Sequence, residues 1–320
     1  MSGIAPIFRK EMEDHFTSVR FVLITALILM VGIIITSMVG MGLRSELEGY
    51  SKPPFVFLLL FTATGRFFSF AQFIGFFGPL MGIILGFDSI NRERIGRTLT
   101  KLLSQPIYRD SVINAKFLSG IGIIGIILLG MILLICGLSF ILVGVVPGGS
   151  EIMRLFLYFV ITLVYVSFWL SVSILFSIIF RSTATSALAS LALWIFFSFF
   201  LGIGGSFIAD ALAPLKEGST VDPAVLLRHE RIQRIVSFFS PISVYTDTTS
   251  ILLDPLRKTT KGIVLMGPLE RLSISRFQGP LPVLDSLLIV LPHVVSLVAL
   301  TLVCFAICYF VFMRQEIRSA

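Results

Sequence analysis

Charged residues are scarce in this chain of 320 residues: Lys, Arg, Asp and Glu together make up 13% of it, whereas hydrophobic residues make up 56%. Soluble domains carry about 25% charged and about 45–50% apolar residues. The composition therefore excludes a water-soluble globular protein and indicates a protein that resides in a lipid bilayer.

Several patterns on which catalysis depends are also missing. No Gly-Lys dipeptide occurs, so the chain has no phosphate-binding P-loop, and its many serines form no Gly-x-Ser-x-Gly elbow. The only cysteines, Cys136, Cys304 and Cys308, lie inside apolar runs. Cys304 and Cys308 are one helical turn apart, but we interpret all three as packing residues. The chain is predicted to have no catalytic residue, no metal and no bound cofactor.

Long apolar runs, by contrast, are abundant. A membrane-spanning helix needs about 20 mostly apolar residues to cross about 30 Å of hydrocarbon. Six stretches meet this requirement, so the sequence predicts an all-α, polytopic membrane protein with six crossings. The stretches are Phe21–Met41, Phe67–Phe87, Phe117–Val146, Met153–Phe180, Ala184–Ala209 and Val283–Met313. The first lacks a small-x-small cleavage pattern, which favours a retained helix over a signal peptide.

Basic residues are distributed unequally between the two sides of these crossings. An even number of crossings puts both termini on one side, together with segment 88–116 and Arg181, and this side carries twelve Lys and Arg. The short loops of the other side carry four. By the positive-inside rule the first side is cytoplasmic, in the plasma membrane. The net charge of +7 follows from this topology and requires no nucleic-acid partner.

The predicted organisation has three parts. Residues 1–209 hold a cytoplasmic N-terminal helix and five membrane helices, 210–282 an extracytoplasmic loop, and 283–320 the sixth membrane helix and a cytoplasmic tail. Within the loop, Asp222-Pro223 can start one helix and a second spans 242–253. The first helix has an apolar face that predicts a gate on or in the outer leaflet, with a solvated loop as the alternative. The gate residues are Val225, Ile232, Ile235, Phe239 and Pro241.

Segment 86–117 interrupts the apolar pattern with nine ionisable side chains. Each charge at the bilayer centre would cost about 2.5–3.5 kcal/mol, so this segment must lie in water. Ile95, Leu99, Leu102 and Leu103 have the spacing of an apolar helical stripe, and Pro106 ends the helix. Such a helix could lie on the anionic leaflet, act as an inert connector or dock into a partner.

Three stretches carry a resemblance to a known family: F8-R-K-E11, then D88-S-I-N-R-E-R-I-G-R-T-L-T-K-L-L-S-Q-P-I-Y-R109, then Lys116 at the start of the third crossing. They resemble the permease subunits of type-two ATP-binding-cassette exporters, particularly the NosY-like branch. In that family a similar run of residues follows the second membrane helix. The matching positions are Glu93, Arg94, Gly96, Leu99, Leu102, Leu103, Ser104, Pro106, Ile107 and Arg109.

The resemblance implies that segment 88–116 is a coupling helix seated in a groove of a separate ATPase subunit, which binds ATP and magnesium. The N-terminal stretch 4–18 would lie along the inner membrane surface and support it. The chain itself would be a non-catalytic subunit. The coupling residues implied are Glu93, Arg94, Gly96, Leu99, Leu102, Leu103 and Pro106. Residues 210–282 form a longer loop than the simplest members have.

Six crossings make half of a usual transport pathway, so we expect a homodimer or a heterodimer with a related permease, surrounded by membrane lipids. Gly75, Gly78, Gly82 and Gly86 form a small-residue face that suits either helix packing within one subunit or a dimer contact.

Two other functions agree less well with the sequence. An ion-coupled secondary transporter needs ionisable pairs within its membrane helices, whereas only His293 lies in an apolar run here. An intramembrane serine protease would have to use the same histidine. The lack of a hydrophilic ion site favours an amphiphilic, lipid-like or peptide cargo. Lipid, antimicrobial peptide, sodium and the periplasmic copper-enzyme maturation linked to NosY-like systems all stay open.

Overall fold

The computed structural model describes residues 4–47, 55–63, 69–96, 108–214, 223–257 and 279–314, and every regular element within them is helical. The all-α class and the six crossings are confirmed, because six helical stretches are long and apolar enough to span a membrane. These stretches are Val19–Ser45, Phe70–Ile95, Arg109–Val143, Gly149–Ile179, Thr183–Phe200 and Val283–Arg314.

Twelve α-helices and one π-helical turn follow one another along the described residues. They are α1 (Ile4–Phe16), α2 (Val19–Leu47), α3 (Val56–Thr62), α4 (Phe70–Gly86), α5 (Asn91–Ile95), α6 (Arg109–Val143), α7 (Gly149–Ile179), α8 (Thr183–Ile195), the π-turn (Phe196–Phe200), α9 (Leu201–Leu212), α10 (Pro223–Ser237), α11 (Pro241–Leu253) and α12 (Val283–Arg314). We call the end at which α2, α6 and α8 begin the ionic end, and the opposite end the hairpin end.

Helix α7 lies at the centre of the bundle, where it packs against α4, α6, α8, α11 and α12. Small residues allow the close approach of its neighbours. A Cβ added to Gly82 of α4 would lie 2.6 Å from the Val166 carbonyl oxygen, and one added to Gly86 would lie 2.9 Å from that of Leu170. Glycine is therefore required where α4 crosses α7.

The glycine face of α4 is covered within the chain. Gly78, Gly82 and Gly86 face α7, while Gly75 lies against the Tyr245 ring of α11. The stripe is thus a packing face inside one subunit. Helices α7 and α11 already occupy the space beside these glycines, where a dimer contact was the alternative.

Helices α10 and α11 form a re-entrant hairpin, which enters the bundle and leaves it at the same end. Helix α10 returns along α9, so that a Cβ added to Gly205 would lie 3.3 Å from Val236. At the tip of the hairpin, Ser240 Oγ donates a hydrogen bond to the Phe197 carbonyl oxygen at 3.4 Å. Phe197 lies midway along the continuous helical stretch 183–212. Helix α11 then runs back between α4, α7 and α12.

A cluster of tyrosines fixes α11 in the bundle. The rings of Tyr165 and Tyr245 stack with centroids 4.3 Å apart. The Tyr245 hydroxyl lies 3.0 Å from Thr162 Oγ1 and donates to the Tyr158 hydroxyl at 3.4 Å. The Tyr165 hydroxyl donates to the Gly75 carbonyl at 2.7 Å. Because these polar groups satisfy one another, they can be buried at low cost.

Arg154 closes the hairpin end of the structure. Its guanidinium donates to the carbonyls of Leu252 and Leu281, at 2.7 and 2.6 Å, and to Ser286 Oγ at 3.1 Å. The residue is 1% exposed. One side chain of α7 therefore joins the end of α11 to the start of α12.

Three features differ from the sequence prediction. The short helix α3 was not predicted. The third crossing was predicted from Phe117, whereas its helix begins at Arg109 and so includes Lys116. The fifth crossing contains the π-turn, whose aromatic side chains pack edge-on against α4, with Phe199 and Phe76 centroids 5.7 Å apart.

Candidate functional site

Four charged residues meet at the ionic end, where α1, α5 and α6 come together; we call Lys10, Glu11, Glu93 and Lys116 the ionic cluster. The Lys116 ammonium lies 2.9 Å from Glu11 Oε1 and 2.9 Å from Glu93 Oε1. The Lys10 ammonium lies 3.6 Å from Glu93 Oε1 and 3.7 Å from Glu11 Oε1. The side chain of Lys116 is only 2% exposed, so its charge depends on these carboxylates.

The electrostatics of the cluster favour the ionised form of the Glu11 carboxyl. Burial by itself raises the pKa of the Glu11 carboxyl, but the positive charge and hydrogen bond of Lys116, with the charge of Lys10, outweigh burial, so this pKa lies below its ordinary value. One turn away, burial lowers the pKa of His15, although Glu11 opposes the change. The cluster thus pairs two cations with two anions beside a histidine that favours its neutral form at pH 7.

The chain between α4 and Gly96 is held by several further contacts. The backbone N–H groups of Ile90 and Asn91 donate to Ser177 Oγ of α7, at 3.1 and 3.2 Å. Arg94 donates to the Ile178 carbonyl at 3.4 Å. Arg20 of α2 donates to Asp88 Oδ2 at 2.6 Å and lies over the Phe87 ring.

These contacts connect one short segment to four helices that meet at the ionic end. Residues 88–94 are joined to α1 and α6 through the ionic cluster, to α2 through Asp88, and to α7 through Ser177. A force applied to this segment would therefore be transmitted to four helices at once.

The residues implied by the resemblance separate into two groups. Glu93 is buried and Arg94 half-buried, and both make contacts within the chain, whereas Gly96 is exposed. Ile95, on the predicted apolar stripe, is 65% exposed. The other coupling residues lie outside the described residues; they are Leu99, Leu102, Leu103 and Pro106.

Sequence reasoning gave no individual role to three members of the ionic cluster, Lys10, Glu11 and Lys116. Glu11 and Lys116 were only parts of the resemblance, although they are 105 positions apart and in contact. Lys116 had one local signal, a charge directly before the apolar run that starts at Phe117, whereas Glu11 stands among other charged residues and had none. Arg154 was counted only as a basic residue of an external loop, and its burial had no local sequence signal.

The predicted gate residues lie along the re-entrant hairpin. Ile235 and Phe239 are 56% and 65% exposed, while Val225 and Ile232 are half-buried and Pro241 is buried. The gate hypothesis did not anticipate that α11 is buried among membrane helices. Helix α10 retains an exposed apolar face, so only this part of the hairpin is available to lipid or to another subunit.

The histidine and cysteines of the apolar runs have ordinary surroundings. The His293 ring stacks on Phe238 with centroids 4.7 Å apart. All three cysteines are free thiols. Within the described parts of the chain, no three His, Cys, Asp or Glu side chains come together as a metal site would require.

Six membrane-spanning helices, a re-entrant hairpin and a charged segment held at one end define a polytopic α-helical membrane protein. A family model described as ABC-2 family transporter protein matches residues 5–317. The chain therefore belongs to the ABC-2 family and is a membrane-spanning permease subunit of an ABC transporter, a subunit type that associates with an ABC ATPase. A comparison with curated protein sequences found no match.

Proposed function

We propose that this permease exports its cargo, and that segment 88–116 docks into a separate ATPase subunit and transmits the energy of ATP to the membrane helices. The observation that supports this proposal is the attachment of residues 88–94 to α1, α2, α6 and α7 through the ionic cluster, Asp88 and Ser177. A coupling element needs this kind of attachment, since a loosely tethered loop would move without moving the bundle.

The two groups of coupling residues have different roles in this proposal. Glu93 and Arg94 position the segment on the bundle, and Ile95 starts the apolar stripe that enters the ATPase. ATP and magnesium bind to the partner, because this chain has no P-loop. Closure of two ATPase subunits around ATP would move two such segments and favour one orientation of the membrane pathway over the other.

The working unit in this proposal is a dimer, formed with a second copy or with a related permease. Because the glycine face of α4 is covered, the contact must use another surface. Exposed phenylalanines follow the π-turn and α9 along one crossing, where Phe196, Phe200 and Phe207 are 51%, 58% and 70% exposed. An apolar surface of this kind suits a partner helix, and it also suits an amphiphilic cargo.

Placement in the NosY-like branch, both termini in the cytoplasm and residence in the plasma membrane belong to the same proposal. The unequal distribution of Lys and Arg supports the orientation, with the ionic end inside the cell.

Co-purification of the ATPase in detergent tests the docking, because no bilayer is then present to bind the helix. Ile95→Asp, and the pair Leu99→Asp with Leu103→Asp, should release the ATPase, since each puts a charge into a desolvated contact. Leu256→Asp is the matched control: Leu256 is 67% exposed, close to the 65% of Ile95, but lies at the hairpin end. Full retention of the ATPase by the segment variants would contradict docking through segment 88–116.

A further inference from the structure

A cavity of about 390 Å³ lies at the ionic end, between the α1–α2 junction, the last turn of α4 and the beginning of α8. Its wall is mixed. Arg20, Asp88 and Arg92 contribute charged groups, while Phe21 and Leu85 contribute apolar ones. A cavity with this lining can hold a group that is polar at one side and apolar at the other.

The charge of the cavity favours an anion. Arg20 and Asp88 form an ion pair at 2.6 Å and neutralise each other. Arg92 is exposed and forms no ion pair with another residue that the structure describes, and His15 favours its neutral form because burial lowers its pKa. One positive charge remains. Helices α2 and α8 also begin at the cavity, with Val19 and Thr183, and their positive ends add to the attraction for an anion.

The cavity lies where the apolar ends of two helices adjoin polar residues. Phe21 lies in the first turn of α2 and Leu85 in the last turn of α4, whereas Arg92 belongs to the short polar helix α5 that follows α4. An exposed apolar stripe runs along α2 away from the cavity. In this stripe Leu23 and Leu27 are 65% and 52% exposed.

We propose that this cavity binds the phosphate group of an anionic phospholipid, with Arg92 as the contact that selects the charged headgroup and the α2 stripe as the surface for its acyl chains. A headgroup with one net negative charge matches the single positive charge that the cavity leaves uncompensated. With the orientation proposed above, the lipid belongs to the cytoplasmic leaflet. Its site adjoins Asp88 and Arg92, so a bound lipid would contact the same segment that the ATPase is proposed to move.

Native mass spectrometry of the full chain tests this site. The protein is purified in detergent with phosphatidylglycerol or, separately, with phosphatidylcholine, and the lipids retained by each chain are counted. Wild type should retain phosphatidylglycerol preferentially, and Arg92→Gln should lower that retention about fivefold, the effect of one basic residue near an anionic surface. Arg92→Lys keeps the charge and should retain the lipid.

Arg181→Gln is the matched control, because Arg181 is an exposed arginine of the ionic end that does not line the cavity. Its retention of phosphatidylglycerol should equal that of wild type. Equal retention of the two lipids, or an equal loss in Arg181→Gln and Arg92→Gln, would overturn the proposal. Displacement of the lipid by millimolar inorganic phosphate would overturn it as well, since the cavity would then be a site for free phosphate. The count needs neither ATPase nor nucleotide, so its outcome is independent of docking.

Discussion

At the scale of single residues, the ionic cluster is the feature on which the ionic end depends most. A buried ammonium is tolerated only with excellent partners, and Lys116 has two carboxylates at 2.9 Å. The carboxylates come from α1 and α5, so the cluster connects parts of the chain that no local pattern relates.

Removal of the Lys116 ammonium should therefore be costly. Lys116→Ala leaves two buried carboxylates without their main partner, and we expect the free energy of unfolding to fall by about 3–5 kcal/mol. Arg9→Ala removes an exposed ion pair, Arg9–Glu13, and should cost no more than about 1 kcal/mol. Chemical or thermal unfolding of both purified variants makes the comparison. Similar losses of stability in the two variants would mean that the buried ion pairs of Lys116 stabilise the protein no more than an exposed ion pair does.

The Glu11 carboxyl should make stability depend on pH on the acid side. Its pKa in the folded chain lies below the ordinary value of 4.5, so its contribution is present above pH 4.5 and is lost as the pH falls through the folded pKa. The stability difference between wild type and Glu11→Gln should be constant near pH 7 and should shrink below pH 4.5. Unfolding curves of both proteins at several pH values measure this stability difference. A difference that grows on acidification would contradict an ion pair between Glu11 and Lys116.

At the scale of elements, the crossing of α4 over α7 tolerates no added volume. Gly82→Ala would place a methyl carbon 2.6 Å from the Val166 carbonyl oxygen and 2.8 Å from the Leu170 amide nitrogen. Because both are backbone atoms that cannot easily move aside, this substitution should destabilise the chain by about 1–3 kcal/mol. Gly130→Ala, in the exposed part of α6, meets nothing within 4 Å and should change stability by less than about 1 kcal/mol. Thermal unfolding in detergent compares them, and a neutral Gly82→Ala would refute the tight crossing.

The elements differed in how far sequence predicted them. Long apolar runs identified all six crossings, and Pro223 marked the start of α10. The second loop helix, predicted over 242–253, is α11, which begins one residue earlier at Pro241. The position of α11 was not predictable, because its polar sequence PISVYTDTTSILL resembles a surface helix. Its burial depends on Thr162 and Tyr165, about 80 positions away in sequence.

The candidate site was predictable only in outline. Its segment was identified by charge within an apolar chain, and the resemblance supplied Glu93 and Arg94. Their inward contacts could not be read from spacing, since the partner of Glu93 is Lys116 on another helix and that of Arg94 is the end of α7. Pairing of this kind depends on how helices are arranged, which periodicity does not report.

At the scale of the whole molecule, the orientation in the membrane is the property on which the proposed function depends. Thr17→Cys and Gly279→Cys place single thiols at exposed positions of the ionic and hairpin ends. In a variant without the three natural cysteines, an impermeant thiol reagent should label Gly279→Cys from outside intact cells and leave Thr17→Cys unlabelled. Lysed cells serve as the control, in which both should react. If only Thr17→Cys were labelled in intact cells, the ionic end would face outward and the proposed orientation would be wrong.

The Arg154 contacts have a consequence for the order of events during biosynthesis. Arg154 enters the membrane with the fourth crossing, but its acceptors are Leu252, Leu281 and Ser286, which the ribosome adds about 100 or more residues later. Until then a guanidinium at the bilayer boundary must rely on water or lipid phosphate. The nascent chain therefore lacks two of these three acceptors until the last crossing begins to emerge, and the full set of Arg154 hydrogen bonds can form only after Ser286 has been added.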